Sequence, residues 1–381
     1  MKELIVLEYQ KFASQRNNWI ILGVIMLMLS GFITSKARFD RIQQYYLPVN
    51  ITYELQQEKD GLVELRKIFE SMPTEQQLAA NIRDANYSVG WMEKMLQGIQ
   101  TEDWNLYLEN KIAYDQNQLI AVRQGRLIGP TVQDLQDQIE LNGLLLEGSI
   151  KPIYTDTSME MLNYLTLLLS PSFILLMLIV TVFISSSMVS SDFEKKTYKL
   201  LYTQPLSKTK IMMSKLTAAL SLNYLWIFTL IGGSCLMLSF IFGVGDSNYP
   251  IKLYENELIS YSTMGHYLVI AGLMLFLLVT FTVILTLVIS TLTRYTSATL
   301  ITGAVFLLMP NFLNSQESYL KIAPFNPVTY IGISDILQGI YAREYQLSSV
   351  EFSLGFVVLS VAILLLFGVL LLVSNRMKLN K

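Results

Sequence analysis

Residues 185–215 have the sequence SSSMVSSDFEKKTYKLLYTQPLSKTKIMMSK and lie between two long apolar runs. This stretch decides the fold, because it places many charges directly beside two segments that are apolar enough to cross a membrane. It holds six cations and two acids, which are Lys195, Lys196, Lys199, Lys208, Lys210, Lys215, Asp192 and Glu194. Short loops this basic lie on the cytoplasmic side of a membrane. We therefore expect residues 191–215 to form a cytoplasmic elbow between two spans.

A proline divides this elbow into two helical segments. Pro205 lacks an amide N–H and clashes with the preceding turn, so it ends the first segment. Ser207 is then placed to cap the second helix, because its hydroxyl can accept a hydrogen bond from a free first-turn N–H. A short helix held between two spans predicts a coupling helix that transmits motion. The alternative is a basic anchor that only sets the topology.

The elbow resembles the corresponding loop of ABC type-2 exporter permeases. The resemblance is carried by Glu194, Thr197, Leu200, Leu201, Pro205, Ser207, Lys208 and Lys215. The family pattern is a Glu, a Gly-Thr, a pair of Leu, then Pro-Val-Ser-Arg and a Lys that enters the next span. This sequence departs from the pattern with Lys196 at the usual Gly, Leu206 at the usual Val and Lys208 at the usual Arg.

The resemblance implies that the elbow docks on a cytoplasmic ATPase subunit. The implied coupling residues are Asp192, Glu194, Lys195, Lys196, Thr197, Leu200, Leu201, Pro205, Ser207, Lys208 and Lys210. In this role Glu194 would pair with an ATPase cation or cap the coupling helix. Lys208 and Lys210 would anchor the elbow, and Pro205 would hold its shape.

A second segment resembles the same permeases. Residues 323–330 read APFNPVTY and are followed by Asp335-Ile336-Leu337-Gln338, which is similar to the family segment Asn-Pro-(Leu/Val)-Thr-Tyr followed by Asp-x-(Leu/Ile). Many relatives carry Arg near the position of Gln338. The resemblance implies short re-entrant or interfacial helices over 314–351, and its residues are Pro324, Asn326, Pro327, Thr329, Tyr330 and Asp335.

Composition independently indicates a membrane protein. The chain has 381 residues, of which 52% are hydrophobic and 15% charged, which is too apolar for a soluble globular domain. The net charge of −2 argues against nucleic acid as a partner. Cys235 is the single cysteine, so an intrachain disulfide is excluded.

The hydropathy pattern predicts an all-α polytopic membrane protein with six transmembrane helices. Both termini are expected in the cytoplasm of a bacterial cell, although Lys36, Arg38 and Arg41 follow the first span and oppose its orientation. The predicted segments are a cytoplasmic interfacial helix (1–18), spans at 19–35, 161–190, 216–242, 267–292, 296–313 and 352–374, and a cytoplasmic tail (375–381).

Residues 36–160 are predicted to form a large extracytoplasmic helical domain. Helix formers dominate 51–71, 74–97, 104–124 and 131–146, and Pro73, Gly98 and two Gly/Pro turns separate these runs. Acidic residues outnumber basic ones in this domain. The resulting negative charge either attracts a cationic peptide or only keeps a solvated surface soluble. Within the second span, Pro171 is expected to introduce a kink, as a hinge or as a bend in packing.

Missing motifs exclude several function classes. The sequence has no G-x-x-x-x-G-K-[ST] motif, so ATP and Mg are expected on the partner ATPase and this chain is expected to hold no cofactor. It shows no catalytic or metal constellation, since His266 stands alone and the G-x-S-x-G and H-E-x-x-H motifs are absent. The spans carry almost no ionisable residues, which argues against an ion-driven carrier.

We therefore expect the permease subunit of an ABC exporter, which is not itself an enzyme. It would pair with a second permease, as a homodimer or heterodimer, and with two ATPase subunits in the plasma membrane. The resemblance implies antimicrobial peptides, lipids or drug-like amphiphiles as substrates. The alternative is a non-transporting permease that senses a peptide or a cell-wall partner through its outer domain.

Overall fold

The structure is a computed structural model that describes residues 2–72, 75–126, 129–199, 206–255, 258–314 and 316–376. The chain divides into two units. One, called here the membrane unit, comprises Met1–Gly31, Glu160–Gly245 and Ile251–Lys381. The other, called the inserted domain, comprises Phe32–Met159 with Asp246–Pro250. Helices dominate both units, which confirms the predicted all-α class.

Six helices of the described residues are long and apolar enough to cross a membrane, as predicted. They are Arg16–Ser71, Pro171–Glu194, Lys208–Phe242, Met264–Thr293, Thr296–Leu313 and Phe352–Arg376. A separate N-terminal helix, α1, precedes them at Lys2–Ser14.

The first of these helices, α2 (Arg16–Ser71), runs without interruption from the predicted span 19–35 into the predicted domain. The boundary between the two units falls at Gly31 and Phe32 within this helix. Pro48 lies inside α2, where it has no N–H and so removes one backbone hydrogen bond from the helix.

Three further helices complete the inserted domain: α3 (Gln76–Gln100), α4 (Trp104–Arg123) and α5 (Val132–Glu147). Asp103 and Thr131 cap α4 and α5 by accepting from the backbone N–H groups three residues on. Gly98 lies inside α3, although we expected it to separate two helices. A Cβ there would stand 2.8 Å from the backbone N of Tyr107, so the glycine permits a close approach of α4.

The second predicted span, 161–190, is two helices in the structure. Helix α6 covers Met161–Leu168, and α7 begins at Pro171 and ends at Glu194. Pro171 occupies the first turn of α7, where its missing N–H removes no helical bond. The proline therefore starts a helix, whereas we expected it to kink one.

The next span begins as α8 (Lys208–Ile227), passes through a π-helical turn at Phe228–Gly232 and continues as α9 (Gly233–Phe242). A two-stranded sheet follows, β1 (Pro250–Glu255) with β2 (Leu258–Thr263), which the sequence analysis does not predict. It leads into α10 (Met264–Thr293), and Thr263 caps that helix by accepting from the backbone N of His266.

Helix α11 (Thr296–Leu313) is followed by a series of short helices. These are α12 (Glu317–Leu320), two 3₁₀ turns (Ala323–Phe325 and Pro327–Ile331), α13 (Ile333–Leu337) and α14 (Ile340–Tyr345). None of these is long enough to cross a bilayer. The last helix, α15, covers Phe352–Arg376.

Within the membrane unit, helix α7 packs against α10 and α11. The backbone N of Ser190 donates to Oγ of Ser290 at 3.0 Å, so a hydroxyl joins α7 to α10. Against α11 the approach is closer still, because a Cβ on Gly303 would lie 2.8 Å from Cγ1 of Val182. Small residues at helix contacts allow such close packing in membranes.

Candidate functional site

A group of four charged side chains, three of them buried, lies where α7 ends and α8 begins. Nζ of Lys215 lies 2.5 Å from Oδ2 of Asp192 and 2.9 Å from Oε1 of Glu8. Nζ of Lys11 lies 2.8 Å from Oδ1 of Asp192 and 3.1 Å from Oε1 of Glu8. We call these four residues the charge cluster. Its two acids and two cations balance, as burial of charged groups requires.

The cluster joins three helices that are distant in sequence. Glu8 and Lys11 come from α1, Asp192 from α7 and Lys215 from α8. Lys215 also donates to the carbonyl oxygen of Met188 in α7 at 2.5 Å. The side chains of Glu8, Asp192 and Lys215 are only 5% exposed, and that of Lys11 is 32% exposed. The N-terminal helix is therefore bonded directly to both ends of the elbow.

Two further contacts strengthen this junction. Oγ1 of Thr197 donates to Oδ1 of Asp192 at 3.1 Å, so the elbow residue next to the cluster is oriented by it. The phenol of Tyr9 donates to Oγ of Ser221 at 2.6 Å, which holds α1 along α8. Thr197 and Asp192, both predicted as coupling residues, thus lie together.

Glu194 makes a different connection. Its Oε1 accepts from the backbone N of Thr296 at 2.7 Å, and its Oε2 accepts from the hydroxyl of Thr296 at 3.1 Å. Thr296 is the first residue of α11, so the carboxylate satisfies a first-turn N–H and favours the positive end of the helix dipole. In the described residues Glu194 therefore caps α11, and its predicted pairing with an ATPase cation stays a prediction.

Lys195 and Lys196 are exposed and form the turn that follows α7. Lys196 has a φ of 57°, which lies in the left-handed region. This conformation is unfavourable in free energy for any residue that has a Cβ atom. The related permeases usually have Gly at this position, and glycine adopts that conformation without the penalty. Lys196 therefore adopts the left-handed turn that Gly would favour at this position, at a cost in free energy.

The second half of the elbow begins α8. Ser207 is the N-cap, and its Oγ accepts from the backbone N of Lys210 at 3.3 Å. Lys208 is half-buried and Lys210 is exposed. The remaining predicted coupling residues, Leu200, Leu201 and Pro205, lie outside the described residues.

Several helix termini meet at the elbow end of the membrane unit. Oγ1 of Thr209 in α8 donates to Oδ1 of Asn375 in α15 at 3.1 Å. Oγ of Ser190 in α7 lies 2.9 Å from Oγ1 of Thr296 in α11. Hydrogen bonds and ion pairs therefore connect α1, α7, α8, α11 and α15 at this end.

The predicted motif residues of the 314–351 segment support one another. Tyr330 is fully buried, and its phenol donates to the carbonyl oxygen of Pro324 at 2.7 Å. Oδ1 of Asn326 accepts from the backbone N of Val328 at 3.1 Å, which starts the second 3₁₀ turn at Pro327. The Asn-Pro pair therefore forms the capped turn that its sequence indicates.

Tyr319 connects two of these motif residues. The Nδ2 of Asn326 donates to the phenol oxygen of Tyr319 at 3.1 Å, and that oxygen lies 3.2 Å from Oγ1 of Thr329. Both Tyr319 and Thr329 are buried. The segment is thus held by side chains as well as by its short helices.

A cavity of about 240 Å³ lies beside this segment. It brings together three predicted residues from distant parts of the sequence, since Pro171, Thr329 and Asp335 all line it. The other lining residues come from the first turns of α7, from the end of α11 and the following Asn314, from the second 3₁₀ turn and the following Gly332, and from α14. Pro324, Asn326, Pro327 and Tyr330 are not among the lining residues and act as support for the wall.

The elbow and the cavity lie at opposite ends of two helices, α7 and α11. Helix α7 has Pro171 at the cavity and Glu194 at the elbow, which is a distance of about 35 Å at 1.5 Å per residue. Helix α11 has Thr296 at the elbow and Pro310 at the cavity. A displacement of the elbow end would therefore reach the cavity through two packed helices.

Several residues of these sites are not predicted from the sequence. Glu8 and Lys11 lie in the helix predicted to be interfacial, and Lys215 is predicted as an elbow cation and as the Lys of the family pattern, but no pairing among the three is predicted. A cation just inside an apolar helix is itself a signal of a buried partner. Tyr341, Glu344 and the asparagines of the cavity carry no signal, because only tertiary contacts bring them together.

Comparison with known proteins gives one family. The sequence pattern of the family described as "ABC-2 family transporter protein" matches residues 7–377. A protein of Bacillus subtilis (strain 168) described as "Uncharacterized protein YhcI" is 30% identical over 141 residues. That match covers 36% of this chain and 44% of the relative, so it spans less than half of either protein. No solved structure matches the chain.

The family match covers nearly the whole chain and includes the charge cluster, the elbow and the cavity. Six apolar helices long enough to cross a membrane agree with it. This chain therefore belongs to the ABC-2 family of transporter proteins, as a multi-pass membrane subunit.

Proposed function

We propose that this chain is the permease of an ABC exporter that moves a hydrophobic or amphiphilic substrate outward. A separate ATPase subunit would bind ATP and Mg and supply the energy. The observation that carries the proposal is the bonding of the elbow to four helices through the charge cluster and Glu194. An elbow that only fixed topology would not need buried ion pairs to spans on both sides of it.

The mechanism follows from these contacts. Closure of the ATPase dimer on ATP pushes the elbow, which the ATPase holds by Leu200 and Leu201. Asp192 transfers the displacement to α1 and α8, and Glu194 transfers it to α11. Helices α7 and α11 then move together, because Gly303 and Val182 lock them, and change the shape of the cavity at the far end.

The orientation rests on the distribution of cations. Lys11, Arg294 and the six elbow lysines lie at the end of the membrane unit where Thr209 meets Asn375. Positive residues next to spans favour the cytoplasmic side. We therefore place the elbow and both termini in the cytoplasm and the inserted domain outside, in the plasma membrane.

A second copy of this chain fits the outward face of α2. In the inserted domain the buried side of this helix carries Asp40, Ile51, Leu55 and Leu62. Its opposite side carries a row of large apolar residues that are 38–65% exposed, which are Phe39, Ile42, Tyr46, Val49 and Tyr53. Their spacing of three and four residues is that of a coiled-coil seam.

The positions that flank this row suit pairing with an identical helix. They hold Arg38, Gln43, Tyr45, Asn50, Thr52 and Gln57, so a single charged residue borders the seam and like charges do not oppose one another. A two-fold axis would place the same row on both copies. We propose that the exporter is a homodimer in which these rows meet.

Cysteine cross-linking tests this pairing. With Cys235→Ser as background, Ile42→Cys or Val49→Cys should form disulfide-linked dimers in intact membranes, since a disulfide needs Cβ atoms about 4 Å apart. Arg41→Cys, exposed on another side of α2, is the matched control and should stay monomeric. Equal cross-linking at all three positions, or none at the seam, would refute the homodimer seam.

Co-purification tests the exporter assignment. We expect the chain in mild detergent to bring with it a P-loop ATPase, and we expect a Leu200→Asp, Leu201→Asp variant to lose it. A control with two exposed apolar residues of the inserted domain changed, Ile68→Asp with Met72→Asp, should keep the ATPase. An ATPase retained by the elbow variant would exclude the proposed docking.

The sensing alternative predicts a different result in vesicles. An exporter should move a fluorescent amphiphile across the membrane when ATP is present on the elbow side. A sensor should change its ATP hydrolysis when a peptide is present, without moving any probe. ATP-dependent accumulation of the amphiphile would therefore support the exporter.

A further inference from the structure

The cavity of about 240 Å³ has an uncompensated negative charge. Among its lining residues in the described part of the chain are two carboxylates, Asp335 and Glu344, and no Lys, Arg or His. In the same part of the chain, neither carboxylate has a Lys or Arg nitrogen within 4 Å. The adjacent cation in sequence, Arg343, lies instead over the ring of Tyr254, 5.0 Å from its centroid.

The two carboxylates differ in depth. Glu344 is exposed and Asp335 is half-buried, so the charge extends from the surface into the cavity. Burial raises the pKa of Asp335 above its ordinary value, and the Glu344 carboxylate raises it further, while a bond from Ser334 at 3.0 Å opposes this. A cation placed between them would stabilise both ionised carboxylates.

Aromatic rings and amides complete the polar side of the cavity. Tyr341 and Tyr345 both line it, with ring centroids 4.7 Å apart. Tyrosine rings attract organic cations through their π faces, and quaternary ammonium groups are typical ligands of aromatic cages. Asn311 and Asn314 add amide oxygens, and Tyr341 donates to Oδ1 of Asn314 at 3.2 Å.

Aliphatic side chains form much of the remaining wall, with Leu175, Leu307, Val328 and Ile331 among the lining residues, and Ser172 and Thr329 add two hydroxyls. Alkyl groups would bind favourably there because they are removed from water. An inorganic cation gains nothing from contact with alkyl side chains, because it requires oxygen ligands on all sides. Carboxylates, rings and aliphatic walls together match a cation that carries alkyl groups.

We propose that this cavity binds an organic ammonium group, as found in the head of a cationic amphiphile or of a choline lipid. The exporter function proposed above is needed only for the further statement that the bound cation is cargo. The cavity lies at the end of α7 and α11 away from the elbow, so the coupled movement of these helices would open or close the ammonium site.

Binding is tested without ATP or the ATPase. The full chain is placed in nanodiscs of phosphatidylglycerol, which has no ammonium group, and titrated with benzyltrimethylammonium. We expect saturable binding that Asp335→Asn weakens at least tenfold and that Glu344→Gln weakens in the same direction. Since Glu344 is exposed, its change should not disturb folding. Glu317→Gln changes an exposed acid outside the cavity and should bind as the unchanged chain does.

A neutral analogue and a second lipid separate the remaining explanations. The uncharged tert-butyl analogue of the probe should bind at least tenfold more weakly than the ammonium. Phosphatidylcholine nanodiscs in which the probe no longer binds would identify the lipid head as the natural occupant, and unchanged binding would favour a free amphiphile. Equal binding of the neutral analogue, or of the Asp335 and Glu344 variants, would overturn the ammonium site.

The two proposals fail in different ways. Ammonium binding without ATP-driven movement of the probe in vesicles would remove the exporter function and leave the site standing. Movement of other amphiphiles with no saturable ammonium binding would remove the site and leave the exporter.

Discussion

Nζ of Lys215 lies 2.5 Å from Oδ2 of Asp192, and the two residues lie at opposite ends of the elbow with side chains 5% exposed. Removal of one charge from such a buried pair leaves the other without compensation, which costs far more than the net value of the pair. The elbow is therefore tied at both ends to a site that tolerates little rearrangement of charge.

The first prediction concerns this pair. Lys215→Met should destabilise the chain by about 3–5 kcal/mol, because Asp192 and Glu8 would then share only Lys11. Adding Asp192→Asn should restore much of the loss, since one acid and one cation remain. Thermal unfolding in detergent measures both variants.

The control for this prediction is an exposed pair in the inserted domain. Lys59 lies 2.7 Å from Glu93, and their side chains are 43% and 52% exposed. Lys59→Met should cost less than about 1 kcal/mol, because water screens such pairs. A Lys215→Met variant as stable as Lys59→Met would show that the cluster does not hold the elbow.

The second prediction concerns the turn after α7. Lys196 has a φ of 57°, so Lys196→Gly should stabilise the chain by up to about 1 kcal/mol by relieving this conformation. Its neighbour Lys195 has a φ of −84°, in the ordinary helical region. Lys195→Gly removes the same charge and should instead destabilise by about 0.5–1 kcal/mol. Equal shifts of the unfolding temperature would contradict the assigned turn.

Much of the fold could be predicted because its signals are local. Apolar length marks the spans, and Ser207 marks where α8 begins. The charge cluster could not be predicted, since Glu8 and Lys215 are 207 residues apart and meet only because α1 lies along α8. For the same reason the hydrogen bond between Glu194 and Thr296 could not be predicted, because Thr296 lies 102 residues further along the chain.

Pro171 shows a different limit of the sequence. A proline within a long apolar run is compatible with a kink and with a break, and the choice depends on what the preceding residues contact. In the structure the backbone N atoms of Met161 and Leu162 donate to the carbonyl oxygens of Gly243 and Val244 at 3.0 Å. These bonds hold the start of α6 to the segment that follows α9, so α6 and α7 are separate helices.

The third prediction is a pH dependence in the inserted domain. Burial raises the pKa of Asp115 above its ordinary value, although Nζ of Lys111 at 2.5 Å from Oδ1 opposes the rise. Oδ2 of Asp115 has no hydrogen-bond partner among the described residues, and the side chain is 1% exposed. The ionised form is therefore disfavoured in the folded state.

The sign follows from this raised pKa. The stability that Asp115 contributes is present below its unfolded pKa and is lost as the pH rises through the folded pKa. Asp115→Asn cannot ionise, so its stability relative to the unchanged chain should increase from pH 4 to pH 8. A tenfold difference in proton affinity corresponds to about 1.4 kcal/mol. Asp60→Asn changes an exposed aspartate in the same domain and is the control.

The fourth prediction concerns the support of the 314–351 segment by α15. A Cβ on Gly355 would lie 2.5 Å from Cδ1 and Cε1 of the Tyr330 ring and 3.2 Å from Cε of Met274. Tyr330 is fully buried and bonded to Pro324, so the ring has no room to yield. Gly355→Ala should therefore destabilise the chain by about 1–3 kcal/mol through overpacking.

The same helix provides the control for Gly355. Gly368 lies further along α15 and has nothing within 4 Å of its ideal Cβ, so Gly368→Ala should leave stability unchanged or raise it slightly, since alanine is the better helix former. Tyr330→Leu, which removes the ring, should relieve part of the cost of Gly355→Ala when the two are combined. If Gly355→Ala and Gly368→Ala unfold at the same temperature, then contact with Tyr330 does not anchor the segment. The wall of the cavity that Thr329 and Asp335 form would then need another support.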